Sequence, residues 1–387
     1  MTNPPILEGD HVEPQTQISL VDHKARRTPL AWLAENSPTV GPIGALAILF
    51  VVFSITAGSN FFNHGNLITI LAQSSVIAVM AAGFTFVLLL GEIDLSFASI
   101  AVLAGIACSA IYGGQSVPLL FGNVTWGAHS VAVAFVVPII ACLLVGIIAG
   151  ALTAKLGVPS FIGTLGLLLL CDGWAFYWSQ GTVMYDHPGV LDTLGGNKLW
   201  GIPIIAIVAA VVLLLSHLVL SQTRYGRYIY MIGSNRRAAV LAGVNTVRVT
   251  MSVFIISSML AGFAGLLAVG RLGSAQPGVS SDYLLPVIAA VIVGGVSLFG
   301  GSGNIGATVI GVLIFGVLDN GLDQTAINVN LKPFMRGVIL LLAIVINVVG
   351  LRLASRKRIA EQAELEAVVV PEVVTPEDRV GAAESST

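Results

Sequence analysis

Residues 88–105 read LLLGEIDLSFASIAVLAG, and two acids, Glu92 and Asp94, stand there between long apolar runs. The flanking runs, 66–90 and 95–113, each approach the roughly 20 residues that cross a lipid bilayer. A carboxylate at such a place is costly and rare. Gly91 permits the chain to break, and a broken helix leaves open N–H groups at the start of the next one. Such groups need partners when they are buried in lipid. Asp94 and Ser96 are placed to cap the following segment, and a negative charge suits the positive end of its dipole. Two other uses of Asp94 stay open at this level: a part in a solute path, and proton coupling. Glu92 faces arginines at the cytosolic surface if the break is shallow.

Working outward, the whole chain has the same character. Of its 387 residues, 56% are hydrophobic and only 10% are charged, against about a quarter charged in soluble domains. The fold class is therefore an all-α polytopic membrane protein. A β-barrel would show short alternating segments, whereas the runs here are long and continuous. The net charge of −2 decides nothing by itself. Cys108, Cys142 and Cys171 all lie inside apolar runs, read as small core residues, and have no metal-binding spacing. Residues 1–30 carry Glu8, Asp10, Glu13 and four prolines with no apolar core, unlike a secretory signal.

About ten transmembrane helices are expected, near 41–58, 66–90, 95–113, 131–154, 161–180, 201–220, 250–270, 284–299, 301–319 and 334–350. Residues 1–40 form a cytosolic arm, with a short surface helix expected near PLAWLAE. Residues 41–350 form the membrane domain, and 351–387 a cytosolic, acidic, mostly disordered tail. With the N-terminus inside, 14 of the 18 basic residues fall on the cytosolic side. Only Lys198, Arg271, Lys332 and Arg336 fall outside, which sets N-in and C-in.

Two connections are too short for ordinary loops. One is GEIDLS at 91–96, and the other is GGVSLFGGSGN at 294–304. Each is a tight cytosolic turn or a break inside the membrane with re-entrant flanks. Their similar placement in the two halves suggests an internal repeat, as in many transporters. The candidate break and translocation residues are Gly91, Glu92, Asp94, Ser96 and Ser99 in the first, and Gly294, Gly295, Ser297, Gly300 and Gly301 in the second.

The longest inward connection, 221–249, holds five arginines. Within it, GSNRRAAVLAG has the grammar of a short helix. Ser234 or Asn235 can cap it, Ala238, Ala239, Leu241 and Ala242 favour it, and Gly243 can end it. Ala238, Leu241 and Ala242 share one shallow apolar face. Such a helix either only fixes topology through its arginines or docks on a soluble partner with acidic residues.

Several motifs in one order resemble a known family. They are GEIDLS followed by SIAVLAG, GVPSFIGTLG at 157–166, TRYGRYIYMIGSNRRAAVLAGV at 223–244, GRLGSAQPG at 270–278, VIVGGVSLFGGSGNIGATVIG at 291–311 and LDNGL at 318–322. From about 60 to 350 the chain resembles the permeases of bacterial sugar-type ABC importers, the membrane subunits of ribose, xylose, arabinose and galactose uptake systems. GEIDLS and LDNGL lean toward xylose-type members, and Ala98 departs from the family's usual glycine. The resemblance implies that Gly233, Ser234, Asn235, Arg236, Arg237, Ala238, Ala239, Leu241 and Gly243 form the coupling helix that rests on an ATPase. It also implies a permease dimer in a bacterial inner membrane, an ATP-binding subunit and an extracytoplasmic sugar-binding protein. No nucleic acid is expected as a partner, only lipid and these subunits.

Independently, no G-x-x-x-x-G-K-[ST] loop occurs, so ATP and Mg would be used by a partner and no cofactor or metal is expected on this chain. Two other classes are weighed. A proton-driven secondary transporter would use Glu92, Asp94 and Asp172. An intramembrane enzyme would need a nucleophile and base at depth, but five of the six histidines lie in tails or loops and His217 stands alone near a helix end. Asp172 is read as pairing with a neighbouring helix or capping near Gly173. Asp319 and Asn320 are read as capping the ninth segment. Arg271 is read as snorkelling to headgroups or meeting a binding protein. Trp174, Trp178 and Trp200 are read as interface anchors before sugar platforms.

Overall fold

A computed structural model describes residues 37–119, 122–125, 129–325, 328, 331–332, 334–338 and 341. The expected PLAWLAE helix, the acidic tail and most of the tenth apolar segment lie outside the described residues. In chain order the helices are α1 (Ser37–Thr56), α2 (His64–Leu89), α3 (Phe97–Tyr112), α4 (Val131–Ala154), α5 (Ser160–Ser179) and α6 (Gly189–Gly195). They continue as α7 (Ile204–Gln222), α8 (Arg224–Ser234), α9 (Arg236–Leu241), α10 (Thr246–Leu272), α11 (Ser280–Gly294) and α12 (Ile305–Gln324). Two small antiparallel hairpins interrupt the all-α pattern. They are β1 (Ser116–Leu119) with β2 (Gly122–Thr125), and β3 (Lys198–Leu199) with β4 (Ile202–Pro203). The all-α reading missed both, because each is a short loop element between apolar helices.

Among the described residues six helices, α2, α4, α5, α7, α10 and α12, are long and apolar enough to cross a membrane. Three shorter apolar helices, Gly41–Thr56 within α1, α3 and α11, add to them. The most apolar spans, α4 and α7, are among the least buried. Ile139, Ile140, Leu143, Leu144, Ile147 and Ile148 of α4 are exposed, as are Val211, Leu214, Leu215 and Leu218 of α7. In water this distribution would be an aggregation hazard. In lipid it costs nothing, so these helices form the outer wall.

Helix α10 is the hub, packed on α4, α3 and α2. Lipid gives no hydrophobic drive for helices to associate, so close approach at small residues supplies the packing. A Cβ at Gly150 would lie 2.8 Å from the Met251 Cα, and one at Gly146 would lie 2.9 Å from the Ile255 Cα. Gly265 sits against the Ala101 carbonyl in the same way. Helices α11 and α12 cross at a reciprocal pair, Gly294 on the Ala307 carbonyl and Gly311 on the Ala290 carbonyl. Gly294 is therefore a packing residue inside α11. The second break begins one residue later, at Gly295, whose φ is +114°.

Candidate functional site

The first break starts where α2 runs out. Gly91 donates its N–H to the Leu88 carbonyl at 2.9 Å and turns the chain at φ +77°, a conformation that favours glycine. The following residues are irregular; Glu92 N–H still bonds the Val87 carbonyl, and the next backbone donors are satisfied by side chains of α5. Ile93 N–H donates to Ser160 Oγ at 3.1 Å, and Leu95 N–H donates to Thr164 Oγ1 at 3.0 Å. The motif GVPSFIGTLG thus supplies the hydroxyls that let an irregular segment lie against a helix start.

Asp94 is fully buried. Its Oδ1 accepts Ser96 N–H at 2.9 Å and Ser96 Oγ–H at 2.6 Å, and its Oδ2 accepts Ser257 Oγ–H at 3.0 Å from α10. Asp94 lies two residues before the N-cap position of α3, which Ser96 occupies, so it satisfies the Ser96 N–H from outside the helix and also ties the break to the hub helix. Ser96, read as a second cap, makes no side-chain cap bond and instead donates to Asp94. Ser99 is buried within α3 and donates to the Ser96 carbonyl at 2.9 Å.

The second break is a closed loop. Ser297 N–H donates to the Ser302 carbonyl at 2.9 Å, Gly300 N–H to the Ser297 carbonyl at 3.2 Å, and Phe299 N–H to Ser297 Oγ at 3.2 Å. Asn304 then caps α12 by accepting Ala307 N–H at 2.9 Å. The two breaks, about two hundred residues apart in sequence, touch. Gly301 N–H donates to the Leu89 carbonyl at 2.9 Å, and a Cβ at Gly300 would lie 2.6 Å from Gly91 N.

The arginine-rich connection arrives at the same place. It holds two helices where one was expected, because Thr223 caps α8 by accepting Gly226 N–H at 3.1 Å. Asn235 ends α8 and caps α9 by accepting Ala238 N–H at 3.0 Å. Gly243, at φ +79°, closes the short helix. Gly233 packs its Cα against the Leu89 carbonyl and Gly301 N, and Ser234 abuts Gly301. Tyr230 Oη–H donates to the Gly303 carbonyl at 2.8 Å. Burial pushes the Tyr230 phenol above its ordinary range, which keeps it a donor. Arg236 Nη1 donates to Glu92 Oε1 at 3.1 Å. Arg236 was read as a candidate for a partner's acid, and the structure pairs it within the chain. Ala239 is buried on this chain's own side of α9, while Arg237, Ala238 and Ala242 are exposed and Leu241 is 89% exposed.

Three stretches singled out separately thus meet at one end of the bundle. The family described as the branched-chain amino acid transport system permease component matches residues 66–344. The chain belongs to this permease family. It is 36% identical over 321 residues to the ribose import permease of Escherichia coli strain K12, covering 82% of this chain and 94% of that one. It is 32% identical over 307 residues to the L-arabinose transporter permease of Azospirillum brasilense, covering 79% and 86%. It is 29% identical over 325 residues to the fructose import permease of Rhizobium meliloti, covering 81% and 86%. No solved structure matches the chain. The resemblance to sugar-importer permeases holds well beyond the quoted motifs, and the permease is a multi-pass inner-membrane protein.

The permease's other singled-out residues lie away from this end. Asp172 Oδ2 accepts Ser280 Oγ–H at 2.7 Å, joining α5 to the start of α11. Asp319 and Asn320 do not cap α12, which runs on to Gln324. Asp319 pairs with Arg336 Nε at 2.7 Å. Asn320 Oδ1 accepts from Asn66 Nδ2 at 2.8 Å, tying α12 to α2. Trp200, at φ +51°, stands exposed at the tip of the β3–β4 hairpin. A small pocket lies between α3, α10 and the segment joining α10 to α11. Val102, Gly105, Ala268 and Val269 line it together with Ser274, Gln276 and Tyr283. These last three, Tyr230 and the strapping hydroxyls Ser160, Thr164 and Ser257 were not singled out from sequence. Ser274 and Gln276 did sit inside the quoted run GRLGSAQPG, where polar residues follow an apolar span.

Proposed function

We propose that the chain is the membrane-spanning subunit of an importer for a small neutral sugar, driven by ATP hydrolysis in a separate subunit. The supporting observation is the meeting of both breaks with the α8–α9 segment, whose outward face carries Arg237, Ala238 and Leu241. A capped helix with an exposed leucine and a free-facing arginine suits a groove with acidic residues on a soluble subunit. That subunit would bind ATP and Mg, since this chain has no phosphate-cradling loop, and this chain would not be an enzyme. An extracytoplasmic binding protein and a second permease copy complete the assembly. The positive-inside bias puts α9 and both termini in the cytosol.

The sugar is uncharged, so its path needs hydroxyl and amide groups, as in the pocket containing Ser274, Gln276 and Tyr283. Pentoses are the class proposed. The motifs lean to xylose, while ribose and arabinose are the pentoses named for relatives. The full engagement of Asp94 by Ser96 and Ser257 favours a structural role over proton carriage.

The test is Arg237→Glu combined with Leu241→Asp. Both side chains point away from the chain's own core, so the permease should insert at its normal level. Copurification with the ATPase subunit should fall about tenfold or more, as when a central interface anchor is lost. Undiminished assembly would count against docking through α9.

A further inference from the structure

Resting on that reading of α9, we infer that the two helix breaks travel with α8–α9 as one body, and that Glu92, Arg236 and Tyr230 are the positioning residues that hold them to it. The end of α8 touches both breaks at once, since Gly233 meets the Leu89 carbonyl and Gly301 N together. The breaks are joined to each other by the Gly301–Leu89 hydrogen bond. Two side-chain links then fasten α8–α9 to one break each. Arg236 grips the first through Glu92 at 3.1 Å, and Tyr230 grips the second through the Gly303 carbonyl at 2.8 Å. The first break is also held to α5 by Ser160 and Thr164 and to α10 by Asp94. A displacement of α9 would therefore reach α2 and the second break through backbone contacts, and α5 and α10 through the hydroxyls and carboxylate that hold the first break. The positive-φ glycines Gly91 and Gly295 sit where the chain leaves α2 and α11, at the points where such a body would hinge from those helices.

The ion pair is partly exposed, with Arg236 at 45% and Glu92 at 17% of side-chain surface. A pair of this kind biases an equilibrium by about two- to fivefold. Its function is thus to select a position of α9, not to hold the fold.

The test places spin labels at Val240→Cys and Leu298→Cys, one on α9 and one on the second-break loop, in the full chain in nanodiscs. Cys108, Cys142 and Cys171 are buried and out of a label's reach. The expected result is one narrow distance, unchanged when the assembled transporter is trapped with ATP and vanadate. Glu92→Gln with Tyr230→Phe should populate a second, longer distance. The exchange Glu92→Arg with Arg236→Glu should restore the single distance that either charge reversal alone disturbs. A shift of about 5 Å between the labels on trapping, the size of one helical ratchet step, would overturn the proposal. So would a distance that stays single in the Glu92→Gln, Tyr230→Phe variant. Should that variant insert poorly, Tyr230→Phe alone, lacking one oxygen, is read the same way. Loss of ATPase assembly in the Arg237 and Leu241 variant bears on docking only, because the Glu92, Tyr230 and Arg236 variants are compared by label distance in the permease without its partner, and only the trapping arm needs the assembled transporter.

Discussion

Replacing Gly233 by alanine should cut uptake about tenfold while leaving the permease in the membrane. The new Cβ would fall on the Leu89 carbonyl and close to Gly301 N, both backbone atoms that cannot rotate aside. Overpacking of this kind costs about 1–3 kcal/mol, and 1.4 kcal/mol is a tenfold change in an equilibrium. The strain is relieved when α8 backs away from both breaks, which removes the contact without unfolding any span. A larger residue, Gly233→Val, should abolish uptake. The check is uptake per molecule of membrane-inserted permease, with assembly on the ATPase followed in parallel. Full uptake by Gly233→Val would mean that α8 does not need to touch the breaks.

At Asp94 the expected effect is on stability, and it depends on the replacement. Asp94→Ala leaves the Ser96 N–H buried with no acceptor and strips a partner from the Ser96 and Ser257 hydroxyls. A buried polar group left unpaired costs about 1–3 kcal/mol, so two or three of them threaten a fold of ordinary stability. The amount of inserted permease and its melting temperature in detergent should both fall sharply. Asp94→Asn keeps an acceptor for the Ser96 N–H and is expected to retain much of the protein and part of its uptake at every pH tested. A loss of uptake in Asp94→Asn confined to one pH range, with protein level intact, would revive proton coupling.

What could be read from the chain divides by range. Spans were legible because apolar length is a local property: residues 131–154 match α4, and 161–180 and 66–90 fall within a residue or two of α5 and α2. Helix α9 was legible because Asn235 and Gly243 are local signals, and both act as expected of helix ends. Ser96 stands at the N-cap as read, but its hydroxyl donates to Asp94 instead of capping, because a capping pattern does not say which oxygen accepts. Glu92 was read as facing arginines, and it meets Arg236; which arginine it would be was not legible, because 144 residues separate the two and no spacing rule links them. Asp319 and Asn320 were read as a helix end because Arg336 and Asn66 are likewise distant partners. The convergence of both breaks under Gly233 rests on backbone-to-backbone contact between three separate stretches. A glycine's identity reports only that space is short, not what fills it.

On the proposed reading this polypeptide is a gate moved from outside itself. The most direct test of that reading is uptake of ribose, xylose and arabinose into vesicles holding the purified permease, with and without its ATPase subunit, binding protein, ATP and Mg. Accumulation against a gradient should occur only when all of them are present, and a proton gradient applied to the permease alone should drive none. Uphill accumulation by the permease alone, or hydrolysis of ATP by it, would contradict the claim.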